Sequence, residues 1–97
     1  MSVENVSSAI EAILFANGAS VEKSRIAQAL EISEKQVDEH ISALIDDYTK
    51  ANRGITIIKL DDSYQMVSNK EYAPQIRTVM DLRRNTPLSQ AGLEVLA

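Results

Sequence analysis

The stretch that decides the fold runs from Ser33 to Ala51 and is SEKQVDEHISALIDDYTKA. Its apolar residues recur at i, i+4, i+7, i+8 and i+11, which is one continuous stripe along an α-helix. These residues are Val37, Ile41, Leu44, Ile45 and Tyr48. Ser33 and Gln36 have the S-x-x-Q spacing of a capping box, in which each side chain satisfies an unpaired backbone N–H at the helix start. The stretch therefore predicts a helix from about Glu34 to Ala51.

Two shorter helices are predicted before this one. Apolar residues at helical spacing between Val3 and Asn17 predict the first, and Gly18 supplies the left-handed residue that commonly ends a helix. Ser20 has the side chain of an N-cap for the second helix. The buried side of that helix is predicted to consist of Ile26, Ala27, Ala29 and Leu30. The short break at residues 31–33 then makes the second and third helices a helix-turn-helix.

After the third helix the pattern becomes extended. Residues 55–60 are rich in β-branched side chains, residues 64–68 form a second extended run, and Asp61-Asp62-Ser63 between them favours a turn. These segments predict a β-hairpin. Asn69 or Lys70 then leads into a fourth helix over about residues 71–83. The chain is therefore mainly α with a small β-hairpin, in the order ααα-ββ-α, which is a winged helix-turn-helix with the hairpin as its wing.

The same pattern predicts how the chain is divided into domains. Residues 1–84 form an N-terminal winged-helix domain, residues 85–88 a short linker, and residues 89–97 the start of another apolar helix. Because the apolar stripe of that helix stops without a cap, we expect a second winged-helix domain that is truncated in this chain.

Composition excludes several classes of protein. The 97 residues are 44% hydrophobic and 25% charged, which is an ordinary balance for a folded domain. No apolar run is long enough to span a bilayer, and the acidic N-terminus is unlike a secretory signal. The chain has no cysteine, so it can form neither a disulfide nor a thiolate metal site. We therefore expect a cytoplasmic protein with no membrane contact.

Charge bears on whether the helix-turn-helix binds DNA. The chain has a net charge of −4, and residues 34–51 hold five acidic and two basic side chains. Lys35 and Gln36 could contact base edges, but the surrounding carboxylates repel the phosphate backbone, and the wing tip adds Asp61 and Asp62. We expect a solvated acidic face and no direct sequence-specific DNA binding. A winged-helix DNA-binding transcriptional regulator remains the alternative.

Chemistry-bearing residues are few. The chain has one histidine, His40, no cysteine and three scattered glycines, so neither a Cys–His pair nor a glycine-rich phosphate loop is present. We expect no catalytic residue, no cofactor and no metal. A small core gains stability when another chain covers exposed apolar residues. Those outside the strict stripes are interface candidates, or else ordinary core or rim residues: Val3, Val6, Phe15, Tyr72, Ile76 and Met80.

Three stretches resemble one known family. They are IEAILFA at residues 10–16 with Gly18 and Val21; RGI at 53–55 with YQM at 64–66 and YAP at 72–74; and LSQAGLEVLA at 88–97. Together they are similar to segregation and condensation protein B, the bacterial winged-helix subunit that accompanies a kleisin (segregation and condensation protein A) and the SMC ATPase. The chain departs from the family at residues 62–63, where a wing glycine is common, and at Gly92, where alanine is common.

The resemblance implies a non-enzymatic scaffold that acts in chromosome condensation, chromosome partition and cell division. Such proteins form homodimers largely through their N-terminal winged helices. They bind the kleisin, with much of that contact in the C-terminal domain, and through it the SMC ATPase. No nucleotide site is implied, and the expected location is the cytoplasm, at the nucleoid.

Overall fold

The computed structural model describes residues 5–84, which fold as four helices and a small sheet. The elements in chain order are α1 (Val6–Asn17), β1 (Val21–Glu22), α2 (Lys23–Leu30), α3 (Glu34–Lys50), β2 (Ile55–Leu60), β3 (Ser63–Ser68), a 3₁₀ turn (Lys70–Tyr72) and α4 (Ala73–Arg84). The predicted winged helix-turn-helix is confirmed. Val3, the linker at residues 85–88 and the second-domain helix at 89–97 lie outside the described residues.

The wing belongs to a three-stranded antiparallel sheet in the order β1-β3-β2. Leu60 pairs with Ser63, so Asp61 and Asp62 alone form the turn, and Asp61 takes a positive φ of 55°. The predicted turn included Ser63, but the pairing places that residue at the start of β3. Aspartate tolerates the left-handed region better than most residues, which explains why this turn does without glycine.

Strand β1 changes the predicted start of α2. Val21 and Glu22 pair with Tyr64 and Ser63, and the N–H of Lys23 donates to the carbonyl of Asp62 at 2.7 Å. This pairing holds the chain extended through Glu22, so α2 begins at Lys23. Ser20 is therefore not its N-cap, and Glu22 takes that position without a capping hydrogen bond. Ala29, predicted as buried, is also exposed.

The start of α3 agrees with the prediction. The N–H of Gln36 donates to Ser33 Oγ at 3.1 Å, and the N–H of Ser33 donates to Gln36 Oε1 at 2.9 Å. Glu31, in the left-handed conformation, ends α2 two residues earlier. The capping box therefore fixes where the second helix of the helix-turn-helix begins.

Loss of the capping box should have a measurable cost. We expect Ser33→Ala to lower the free energy of unfolding by about 1 kcal/mol. The backbone N–H of Gln36 loses its acceptor, Ser33 Oγ, and the reciprocal bond from the backbone N–H at position 33 to Gln36 Oε1 is weakened. Ser42→Ala, at an exposed position inside α3, should leave stability unchanged or slightly higher. Urea unfolding of both variants measures the difference, and equal midpoints would contradict this role of Ser33.

The core lies between α1, α2, α3 and the inner face of the sheet. Its fully buried members include Ile10 and Leu14 of α1 and Val37 and Ile41 of α3, while Ile57 and Tyr64 close it from the sheet. Helix α4 is different, because within residues 5–84 its main contacts are with the 3₁₀ turn that precedes it. The domain therefore has a closed core and a helix whose apolar side is largely left in solvent.

Candidate protein-interaction surface

The acidic face of α3 is exposed as predicted. Glu34, Glu39 and Asp47 are in solvent, and Asp46 pairs with Lys50 on its own helix at 3.6 Å. Of the two residues that could contact bases, Gln36 has its side-chain Oε1 accepting from the backbone N–H of Ser33, which holds that side chain at the helix start. The surface at this end of α3 is therefore unfavourable for a phosphate backbone.

Asp38 is an exception to the solvated acidic face. Its Oδ1 accepts from the Tyr64 hydroxyl at 2.5 Å, and its Oδ2 lies 3.1 Å from Lys23 Nζ. The hydrogen bond from the Tyr64 hydroxyl lowers the pKa of the Asp38 carboxyl and is the largest influence on it. Lys23 lowers this pKa further. Burial, followed by the bond to Asp38, raises the pKa of Tyr64 to about 12. One carboxylate thus links α2, α3 and β3.

A second tyrosine–carboxylate pair joins α1 to α3. The Tyr48 hydroxyl donates to Glu11 Oε2 at 2.5 Å, and the Arg53 guanidinium lies 5.9 Å from the centre of the Tyr48 ring. Burial raises the pKa of Tyr48, and the hydrogen bond to Glu11 raises it further. Both pairs keep their hydroxyls bonded at the edge of the core, so they help to hold the helices and the sheet together.

The only histidine also has a partner. His40 Nδ1 and Ser7 Oγ are 3.1 Å apart, which joins α3 to α1.

Among residues 5–84 no group of three or more His, Cys, Asp or Glu side chains could hold a metal ion. No helix in that same range is long and apolar enough to cross a membrane. The absence of catalysis remains a prediction.

The described interface candidates fall into two surfaces. The α1 surface consists of Phe15, which is 77% exposed; Val6 lies on the opposite side of the helix and packs partly against the core. The α4 surface consists of Tyr72 and Met80, which are 40% and 48% exposed, and of Ile76, which is partly buried. Val79 extends the α4 surface and is 54% exposed. Of these six side chains, Phe15, Tyr72, Val79 and Met80 have substantial apolar area that the domain itself does not cover.

The sequence-based prediction missed further exposed apolar residues on the wing. Ile58 is 38% exposed and Leu60 is 44% exposed. They alternate with Ile57, which faces the core, so the two-residue period of β2 was the signal that could have identified them. The outer face of the wing is therefore partly apolar.

These features define the class of the protein. It is a winged-helix domain whose helix-turn-helix and wing tip present carboxylates and whose apolar residues lie exposed on α1, α4 and the outer sheet. A family model described as "Segregation and condensation complex subunit ScpB" matches residues 8–97. The chain belongs to this family.

Relatives and solved structures agree with that assignment. Segregation and condensation protein B of Clostridioides difficile is 37% identical over 99% of this chain and 55% of its own length. The protein of the same name from Caldanaerobacter subterraneus is 42% identical over 91% of this chain and 52% of its own length. The chain thus spans about half the length of these curated relatives.

Two solved structures have the same fold. A crystal structure of a dimer of a ScpB N-terminal domain complexed with a ScpA peptide matches with a TM-score of 0.70 and 32% identity, over 75% of this chain and 91% of that one. ScpB from Mycobacterium tuberculosis matches with a TM-score of 0.80 over 97% of this chain and 59% of that one. The latter is 21% identical and bears on the fold alone.

Proposed function

We propose that this chain is the dimerisation and kleisin-binding part of a non-enzymatic scaffold subunit in an SMC–kleisin complex. In this role residues 1–84 form the N-terminal winged-helix domain, and residues 89–97 begin a second one. The subunit acts in chromosome condensation and segregation, in the cytoplasm and at the nucleoid. Membership of the segregation and condensation family supports the biological process.

The observation that carries the proposal is the exposed apolar area on α1 and α4. Phe15 of α1 is 77% exposed. Val79 and Met80 are about half exposed, and they lie on α4, which has few contacts with the core. Each Å² of apolar surface removed from water contributes about 25 cal/mol, so a partner that covers these side chains stabilises the domain. The solved dimer of a related N-terminal domain with a ScpA peptide supports both kinds of partner.

A non-enzymatic role is supported by the chemistry of the described residues. His40 contacts Ser7, and the carboxylates Asp38 and Glu11 bind tyrosine hydroxyls at the edge of the core. These groups are engaged in holding the helices together. The SMC partner would supply the ATPase activity of the complex.

Sedimentation velocity across the micromolar range tests the dimer. We expect a species of twice the 10.7 kDa chain mass that dissociates on dilution. A clean monomer over the whole range would remove dimerisation from the proposal. Adding purified kleisin to the same samples should produce a heavier complex, and this second result tests partner binding separately.

A further inference from the structure

Strand β2 is an edge of the described sheet, because β3 lies between it and β1. Its register with β3 continues to Gly54 and Asn69, where the N–H of Asn69 donates to the carbonyl of Gly54 at 2.7 Å. Hydrogen-bonded pairs alternate along an antiparallel ladder, so Thr56 and Ile58 also direct their backbone groups to β3. The N–H and C=O groups of Ile55, Ile57 and Lys59 therefore point to the open edge.

A groove of about 360 Å³ lies beside this strand, between the end of α3 and the base of the wing. Ile55, Ile58 and Val67 supply apolar walls, and Arg53 and Lys70 supply the charges. None of the described residues that line the groove is acidic. On a chain with a net charge of −4, this is a locally basic and apolar site next to unpaired strand backbone.

We propose that an extended acidic segment of a partner polypeptide adds to β2 as a fourth strand. Its backbone would bond to the edge-facing groups of Ile55, Ile57 and Lys59, as in other cases of strand addition. Its carboxylates would meet Arg53 and Lys70, and alternate apolar side chains would enter the groove.

Charge complementarity argues for an acidic occupant. The groove is lined by Arg53 and Lys70 and by no acidic residue among those described, and the edge strand itself carries Lys59. The inference rests on the proposed function, because it takes the kleisin as the source of the segment.

Amide hydrogen exchange on the 97-residue chain tests the binding mode. The probes are overlapping synthetic peptides that together cover the kleisin sequence. With a bound peptide, exchange at Ile55, Ile57 and Lys59 should slow by about tenfold or more, whereas Thr56 and Ile58, already bonded to β3, should change little. N-methylation of the peptide at the residues that bond to β2 should abolish binding, and N-methylation at the alternate residues should not.

Charge reversal tests the groove independently of exchange. Lys70→Glu and Arg53→Glu should each weaken peptide binding about tenfold, because the carboxylates of the segment would then meet like charge. Lys35→Glu makes the same change at the exposed, opposite end of α3 and should leave binding unchanged. Lys70→Glu serves as the main variant, because Arg53 also stacks near Tyr48.

The possible outcomes bear differently on strand addition and on kleisin binding. Peptide binding without protection of the three amides would place the site elsewhere, overturning the inference while leaving kleisin binding intact. Protection that appears without peptide and grows with protein concentration would assign the edge to a second copy and also overturn it. Failure of every peptide to bind would overturn both the inference and kleisin binding by this domain, while dimerisation is judged from the mass of the chain alone.

Discussion

Met80→Glu is expected to convert the proposed dimer of this chain to a monomer at micromolar concentration without unfolding the domain. Met80 is 48% exposed on α4, so the substitution costs the isolated domain little. In a dimer that covers this side chain, the variant loses burial of the exposed half of Met80, worth about 1 kcal/mol, and must also desolvate a carboxylate. The dimer dissociation constant should therefore rise by about tenfold to a hundredfold, as measured by sedimentation equilibrium.

A matched control lies on the same helix. Thr78→Glu adds the same charge on the opposite side of α4, where Thr78 is exposed and its hydroxyl donates to the carbonyl of Pro74. It should leave the dimer intact, which would separate loss of a contact from a general effect of charge.

The α1 surface is tested in the same way. Phe15→Glu removes the most exposed large apolar side chain of the described residues, and Ala16→Glu adds the same charge one position along the helix. We expect only Phe15→Glu to weaken the dimer. If Phe15→Glu and Met80→Glu both leave the mass unchanged while circular dichroism shows a folded domain, neither surface is the dimer interface.

Asp38→Ala should be the most destabilising substitution of an acidic residue on α3. It removes the acceptor of the buried Tyr64 hydroxyl and the partner of Lys23. Hydrogen bonds to charged groups contribute about 1.5–3 kcal/mol, and the carboxylate is partly exposed, so we expect a loss of about 2 kcal/mol. Glu39→Ala, at the exposed neighbouring position, should change stability by less than about 0.5 kcal/mol.

The same carboxylate predicts a pH dependence. Its pKa in the folded domain is lowered from the ordinary value of 3.8, so the folded state favours the charged form. The resulting stabilisation is complete above the pKa of the unfolded chain and is lost as the pH falls through the lower folded pKa. Asp38→Asn should therefore reduce the acid sensitivity of unfolding below pH ~4. If the free energy of unfolding of Asp38→Asn falls with decreasing pH as steeply as that of the unsubstituted chain, other carboxylates cause the acid sensitivity.

The sequence predicted those parts of the fold that depend on local spacing. The stripe from Val37 to Tyr48, the capping box at Ser33 and the end of α1 at Gly18 each need information from a few neighbouring residues. The structure confirms all three. The resemblance of residues 10–16 to the segregation and condensation family is likewise in agreement with the family match.

The parts that were missed depend on distant residues. Strand β1 has two residues and exists because Val21 and Glu22 pair with β3, more than 40 positions along the chain. Asp38 looked like a solvated helix acid because its partner Tyr64 is 26 residues away. Phe15 could be placed off the apolar stripe from spacing alone, but whether a second chain covers it depends on a surface that the sequence does not reveal.

Light scattering on chromatographically separated samples tests the central claim that this helix-turn-helix domain binds polypeptides rather than DNA. The 97-residue chain is measured alone, with its kleisin, and with sheared chromosomal duplex DNA at moderate salt. We predict the mass of a dimer for the chain alone, a heavier complex when kleisin is added, and no chain eluting with the DNA. A monomer that ignores kleisin and binds DNA, with affinity falling steeply as salt rises, would contradict the account and establish the DNA-binding regulator instead.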